Sequence, residues 1–193
     1  MFARRAEAFA PPAPPANQNG APSLVAPLPL ERVQHPRLRA ALDAWEELTE
    51  SSGCYDRGRR GFGPLLAKPE LMNDRSSVIV VEGEDPLDYL FAYYGGGFGL
   101  YKDKNFVARR LRDIPDRDAA EAVIAAYRGV IESRRPAAHR VQASFGGVAV
   151  TYDRLILPTT GEDGQVDRLI TLSVELERQP EPALEPLRQP LPA

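Results

Sequence analysis

The sequence has too few cysteines and histidines for most kinds of metal or redox site. Its one cysteine, Cys54, can form neither an internal disulfide nor a cysteine-based metal cage. The two histidines, His35 and His139, lie far apart in the chain, and a lone histidine is more often a structural residue than a ligand. We therefore expect no metal site.

Long apolar runs are also missing. No stretch approaches the roughly 18 apolar residues that are needed to span a bilayer. The basic start, residues 1–5, leads into a proline cluster and not into the apolar core of a secretory signal. A single cysteine fits a reducing compartment. We expect a cytoplasmic protein that does not bind membranes.

Charge and motif content narrow the function classes further. The net charge of −3 lacks the basic excess that is typical of nucleic-acid binders. The 193 residues, 43% hydrophobic and 26% charged, suit one globular domain. Neither a G-x-S-x-G elbow nor the V-A-I-K, H-R-D and D-F-G elements of kinases occur. We expect no nucleic-acid binding and no enzymatic activity.

The prolines mark the predicted domain boundaries. Seven of the 19 prolines lie in residues 1–30 and five in residues 179–193. Because proline fixes φ and has no amide donor, these flanks favour extended, solvated conformations. We predict disordered proline-rich tails at 1–34 and 179–193 around one domain at 35–178. Each tail is either a linker or a docking site for a proline-binding partner.

An amphipathic helix is predicted to begin the domain near residue 36. Its apolar residues recur at helical spacing, with charged residues on the opposite side. The apolar stripe consists of Leu38, Ala41, Leu42, Trp45 and Leu48. The segment 53–64 follows with four glycines and a basic run, which predicts a mobile loop.

Five later segments have strand patterns, and one has a helix pattern. Apolar and polar residues alternate in the last strand, which predicts one face on a core and one in solvent. The predicted strands are 77–81, 88–94, 138–145, 148–158 and 166–177. A helix at 116–134 separates the second strand from the third, and Gly146-Gly147 suits a hairpin turn between the third and fourth. Strand runs broken by a helical block predict an α+β fold, a five-stranded antiparallel sheet with helices on one face.

Several motifs resemble those of a PAS-like family of short single-domain proteins from alphaproteobacteria. The resemblance extends over residues 36–178, and the order of elements is that of a PAS domain. The segment 53–76 departs from the family pattern. The motifs are Asp85-Pro86-Leu87-Asp88-Tyr89, Phe91-Ala92-Tyr93-Tyr94-Gly95, Tyr127-Arg128-Gly129-Val130, Tyr152-Asp153-Arg154-Leu155-Ile156-Leu157-Pro158 and Asp163-Gly164-Gln165-Val166-Asp167-Arg168-Leu169-Ile170.

The resemblance implies a sensory or protein-interaction fold in bacterial signalling. Such a fold is often a dimer through its N-terminal helix, so Leu42, Trp45 and Leu48 are the predicted interface with a second copy or with a signalling partner. It does not imply a particular cofactor, because PAS domains hold haem, flavin, a small metabolite or nothing. The cofactor stays unknown at this point.

The aromatic residues are the most interesting chemical group. They form either ordinary core or the lining of a small-molecule cavity, in which tyrosine hydroxyls would orient a ligand. Tyr93, Tyr127 and Tyr152 are the predicted ligand-binding residues. His139 would bind haem only if it projects into that cleft. The arginine run 109–112 forms either an anion site or a solvated surface.

A glycine run at 95–99 ends the second predicted strand. It is one residue short of the kinase G-x-G-x-x-G spacing, so it more simply lets the chain bend sharply.

Two functional hypotheses follow from these observations. The first is a stand-alone PAS-like sensory or interaction module, acting through ligand binding, dimer contacts or partner contacts. The second is a small α+β enzyme or ligand carrier with a cone-shaped pocket. A cavity lined by aromatic and aliphatic residues favours sensing, whereas a buried aspartate paired with His139 favours catalysis.

Overall fold

A computed structural model describes most of the predicted domain. The described residues are 24–50, 52–98, 105–114, 117–144 and 148–180. Seven strands and four α-helices follow in the order β1 Leu24–Leu28, α1 Pro36–Thr49, β2 Tyr55–Asp56, α2 Arg57–Arg60, α3 Gly63–Leu66, β3 Ser76–Val80, β4 Leu90–Tyr94, α4 Arg117–Ser133, β5 Ala137–Ser144, β6 Val148–Thr160 and β7 Val166–Pro180. The predicted α+β class is confirmed. No helix among these residues is both long and apolar enough to cross a bilayer.

The sheet has seven strands, so the predicted count of five is wrong. Six of them lie in the order β1-β5-β6-β7-β3-β4, and β2 pairs in parallel with β6. All other pairings are antiparallel. The five predicted strands are β3 to β7, and they are adjacent to one another in the sheet. The two additional strands lie at its margins.

The first additional strand, β1, lies in the segment that was predicted to be a disordered tail. It pairs with β5, where Pro27 is opposite His139. A proline is tolerated here because an edge strand needs hydrogen bonds on one side only. The segment Leu24–Leu28 is therefore part of the sheet and not of a tail, and β7 extends to Pro180, beyond the predicted domain end at 178.

The segment 53–64 is anchored in the structure and is not a free loop. It forms β2 and α2, and a side chain on Gly58 would overlap the backbone of the 161–162 turn, with Glu162 N only 2.5 Å from the added Cβ. Arg57 Nε donates to Asp167 Oδ2 at 3.1 Å and ties the segment to β7. The glycine is required for close approach and does not mark mobility.

The sheet is covered on both faces, each by one long helix, so the predicted arrangement with helices on one face is wrong. The α1 face carries a core that contains Trp45 together with Leu155 and Leu157 of β6. The opposite α4 face carries a second core, in which Ile156 packs with Tyr127 of the helix. Side chains alternate between the two faces along β6, so Tyr152, Arg154 and Ile156 belong to the α4 face.

Two glycines end β4 by close contact with the turn before β3. A Cβ on Gly95 would lie 2.8 Å from Ser76 O and closer still to the carbonyl of Asp74. Gly97 N donates to Asp74 O at 2.7 Å. This agrees with the interpretation of the glycine run as a strand end. Gly99 of that run, the first residue of the predicted helix at 116, the predicted 146–147 turn and the outer parts of both tails lie outside the described residues.

Candidate functional site

A row of polar residues crosses the α4 face. In the sheet register His139 of β5 is opposite Arg154 of β6, and Arg154 is opposite Ser173 of β7. Ser173 N donates to Arg75 O at 3.3 Å, which extends the row to the residue before β3. We call His139, Arg154 and Ser173 the polar row. It interrupts a face whose other described residues are mainly apolar or aromatic.

Arg154 is buried with part of its guanidinium unpaired. Its exposure is 4%, and its Nε and Nη2 have no hydrogen-bond partner within the described part of the chain. Nε and Nη2 form the side edge of the guanidinium, the geometry that holds a carboxylate by two parallel bonds. Each buried N–H without a partner costs about 1–3 kcal/mol. The Nε–Nη2 edge of Arg154 is therefore costly to bury without a partner.

The neighbouring Arg140 shows what a filled edge looks like in the same sheet. Its Nε and Nη2 donate to the two carboxylate oxygens of Asp153 at 2.9 and 3.0 Å. Asp153 is buried and precedes Arg154 in the chain, so it points to the other face. The carboxylate nearest to Arg154 in sequence is therefore already occupied.

His139 lies beside Arg154 and is neutral at physiological pH. Burial lowers the pKa of its imidazole to about 4, and the positive charge of Arg154 adds to the effect. Its Nδ1 is buried and has no partner among the described residues. A neutral imidazole has one donor and one acceptor nitrogen, so it can donate a hydrogen bond to a ligand or accept one from it.

Two of the three predicted tyrosines meet at this site. The guanidinium carbon of Arg154 lies 5.8 Å from the ring centroid of Tyr127, a cation–π arrangement. Burial raises the pKa of Tyr127 to about 12, an effect that Arg154 opposes, and burial also raises the pKa of Tyr152. Both hydroxyls keep their protons at neutral pH. Their role as ligand contacts stays a prediction.

Tyr93 lies elsewhere. Its side chain is 36% exposed, and its hydroxyl donates to Asn73 O at 3.0 Å. Burial raises the pKa of the hydroxyl of the next residue, Tyr94, and the nearby Tyr152 adds to the effect. Tyr94 also packs against Phe106, with ring centroids 5.2 Å apart. Along a strand, one residue of offset changes the face, which separates these two tyrosines.

The predicted interface residues are part of the intramolecular core. Leu42, Trp45 and Leu48 have exposures of 1%, 0% and 8% and pack onto the α1 face of the sheet. They are therefore not on the surface where a second copy could contact them. Dimer formation stays a prediction, but these three side chains do not offer a surface for it.

A surface groove of about 600 Å³ lies near the C-terminal end of α4. It is lined by residues that include Cys54, Arg59, Arg134 and Glu162. Burial raises the pKa of the Cys54 thiol, and Cys54 Sγ donates to Pro158 O at 3.3 Å. The thiol is therefore protonated and hydrogen-bonded, which does not suit a nucleophile.

The arginines at 110 and 112 already have carboxylate partners. Arg110 Nη1 lies 3.0 Å from Glu82 Oε1, and Arg112 Nη2 lies 3.6 Å from Asp85 Oδ2. All of these side chains are exposed, so the cluster forms a solvated ion-pair network of small energetic value. The structure supports the surface interpretation of this run and not the anion site.

Sequence reasoning missed Arg154, although a signal was present. Every second residue of a strand lies on the same face, so Tyr152, Arg154 and Ile156 of β6 share a face and an arginine interrupts its buried residues. The apolar residues 155–157 make this alternation difficult to recognise in the sequence. Among the described residues, no group of three or more His, Cys, Asp or Glu could hold a metal ion.

Comparison with known proteins adds little at the sequence level. No family model matches the chain, and no curated protein sequence matches it. One solved structure, described as an RNA-binding Light-Oxygen-Voltage receptor, superposes with a TM-score of 0.42 and 15% identity. The match covers 85% of this chain and 40% of that one, so this chain spans less than half of the receptor's length. A likeness this distant gives no basis for transferring the receptor's properties.

Proposed function

We propose that this chain is a PAS-like sensory module in bacterial signalling, which binds a small molecule on the α4 face of its sheet. The observation that carries the proposal is the buried side edge of Arg154, which has no partner among the described residues. Buried polar groups in folded proteins are almost always hydrogen-bonded. A bound ligand would supply the bonds that this edge lacks.

The surroundings of Arg154 support a ligand site over a simple packing defect. A second orphaned atom, His139 Nδ1, lies on the neighbouring strand, so three of the five buried side-chain atoms without a partner in the described residues belong to this pair. Tyr127 and Tyr152 add large rings with polar tips around the same point. A small-molecule pocket usually has an apolar and aromatic lining with a few polar groups in it.

The alternative, a small α+β enzyme or carrier, has less support. Catalysis was expected to require a buried aspartate paired with His139. In the part of the chain that the structure describes, the nearby buried Asp153 is paired with Arg140 instead. The charged group that acts on His139 is Arg154, which disfavours the protonated imidazole that a general acid needs. We therefore favour sensing without catalysis.

Signal output would pass through exposed surfaces and not through the buried stripe of α1. The solvent side of α1 carries Arg39, Asp43 and Glu46, which form a charged strip suited to a polar partner surface. This surface is a candidate for contact with a signalling partner or with a second copy. Its contribution would be specificity and association rate more than affinity.

Native mass spectrometry of the freshly purified protein tests the proposal, with an absorbance spectrum of the same sample. The proposal predicts a non-covalent adduct of small mass in wild-type protein, lost in Arg154→Met and retained in the exposed control Arg128→Gln. The proposal is wrong if the spectrum shows only the mass of the unliganded chain in every preparation and no compound in a metabolite library raises its melting temperature.

A further inference from the structure

We infer that the small molecule carries a carboxylate, and that this carboxylate binds the Nε–Nη2 edge of Arg154. The inference rests on the proposed function and names the chemical class of its ligand. It is argued from the shape of the free edge, from the charge around it and from the side chains that surround it.

The shape of the edge selects a planar oxyanion. Four other arginines of the described residues use Nε and Nη2 together, and each holds one carboxylate: Arg140 with Asp153, Arg57 with Asp167, Arg178 with Glu175 and Arg39 with Asp43. In the first pair both bonds are about 3 Å long. Arg154 presents the same edge without a partner in the described residues. A carboxylate fits it by the geometry that the fold already uses.

The charge around Arg154 matches a single negative charge. His139 is neutral because its pKa is held near 4, and the hydroxyls of Tyr127 and Tyr152 are protonated because burial raises their pKa. Arg75 also has a buried unpaired Nε, but the residue is only half-buried and keeps contact with solvent. One enclosed positive charge is neutralised by a monocarboxylate, whereas a phosphate dianion would leave excess negative charge.

The aromatic groups around the row indicate an organic body next to the carboxylate. Tyr127 lies within cation–π distance of Arg154, and Tyr94 belongs to a ring cluster with Phe91 and Phe106. Such rings favour an apolar or aromatic skeleton. Benzoate is therefore a suitable probe, and acetate tests the carboxylate without the ring.

The experiment measures binding to ligand-free protein, prepared by unfolding and refolding. Benzoate and acetate are titrated by calorimetry and thermal shift, beside their uncharged isosteres benzamide and acetamide and beside inorganic phosphate. The inference predicts that the carboxylates bind at millimolar concentration or below and that the amides and phosphate do not. Arg154→Gln should weaken benzoate binding at least about 30-fold, because a charged partner of a buried hydrogen-bonded pair is lost.

Two further variants separate binding from folding. Arg154→Lys keeps the charge but loses the two-bond edge, so benzoate affinity should fall about 10-fold. Arg128→Gln, on the exposed side of α4, should bind benzoate as wild type does. In addition, the His139 imidazole should change its NMR chemical shift when benzoate binds wild type, a readout that does not depend on any substitution.

The outcomes separate this inference from the proposed function. Equal binding of benzamide and benzoate, or of phosphate in place of the carboxylates, would overturn the carboxylate while a small-molecule site remains. Full benzoate affinity in Arg154→Gln would overturn the assignment to this edge. If no carboxylate binds and native mass spectrometry shows no small molecule, both the inference and the proposed function fail.

Discussion

Replacing Arg154 by methionine should make the ligand-free protein more stable. The substitution removes two buried donor nitrogens that lack partners in the described residues, each of which costs about 1–3 kcal/mol. It also removes the cation–π contact with Tyr127, which is worth about 0.5–2 kcal/mol. Methionine is long and flexible enough to fill most of the same space. The expected net gain is about 1–4 kcal/mol, as for other replacements of buried charges by apolar residues.

The assay is urea and thermal unfolding of ligand-free protein at neutral pH. For a domain of this size, one kcal/mol corresponds to roughly 2–4 °C, so the melting temperature should rise by about 2–16 °C. The matched control is Arg140→Met, which strands the buried carboxylate of Asp153 and should destabilise the protein by about 1.5–3 kcal/mol. The two substitutions are chemically identical and should have opposite signs. If Arg154→Met destabilises the protein as Arg140→Met does, the edge of Arg154 is paired, and the reasoning is refuted.

Three further predictions concern the rest of the fold. Gly95→Ala should destabilise the protein by about 1–3 kcal/mol in urea unfolding, because the added Cβ overlaps the backbone of Asp74. Gly96→Ala should be nearly neutral, because a Cβ there has open space around it, and equal effects of the two substitutions would contradict the close approach of Gly95 to Asp74. Trp45→Glu should give an unfolded chain by circular dichroism, because the tryptophan side chain is fully buried. A folded monomer would instead support the prediction that Trp45 contacts a second copy in a dimer. Burial lowers the pKa of His139 to about 4, so the unfolded chain takes up this proton first and the fold should lose stability as pH falls from 6.5 to 4, by about 2 kcal/mol after solvent screening. His139→Gln should flatten that pH profile of stability in urea unfolding, and an unchanged profile would contradict the burial of the imidazole.

Much of the architecture could be predicted because its patterns are local. The apolar stripe of α4 depends on residues within one element, and its members Ile124, Tyr127 and Val130 are buried in the structure. The alternation in β7 predicts a strand correctly, but the predicted solvent-exposed face is wrong, because Thr171 and Ser173 are buried on the face that α4 covers. The strand β1 could not be predicted from composition. Its proline is acceptable only because the strand lies at the edge of the sheet, and that position is a property of the tertiary fold.

The stripe of α1 shows a second limit of sequence reasoning. Leu42, Trp45 and Leu48 were correctly identified as one apolar face, but periodicity does not say what covers that face. In the structure the sheet of the same chain covers it. An apolar stripe on a first helix therefore predicts burial, and only the tertiary structure distinguishes an intramolecular core from an interface.

The candidate site was only partly visible in the sequence. Tyr127 and Tyr152 were chosen for their chemistry, and they do lie beside the same buried group. The position of Tyr93 away from this group could not be predicted, because the side-chain direction along β4 depends on the sheet register and on the bulge next to Val78. Arg154 can be recognised as a candidate site residue only from the pairing of β5, β6 and β7, which places it next to His139 and Ser173.

The central claim is that the Nε–Nη2 edge of Arg154 holds a small molecule. A high-resolution crystal structure of the protein as purified tests it most directly. The account predicts density that is not protein within hydrogen-bond distance of both nitrogens, shaped as a planar group with an attached skeleton. A carboxylate of the chain itself paired with that edge would contradict the account, and so would an ordered water network alone.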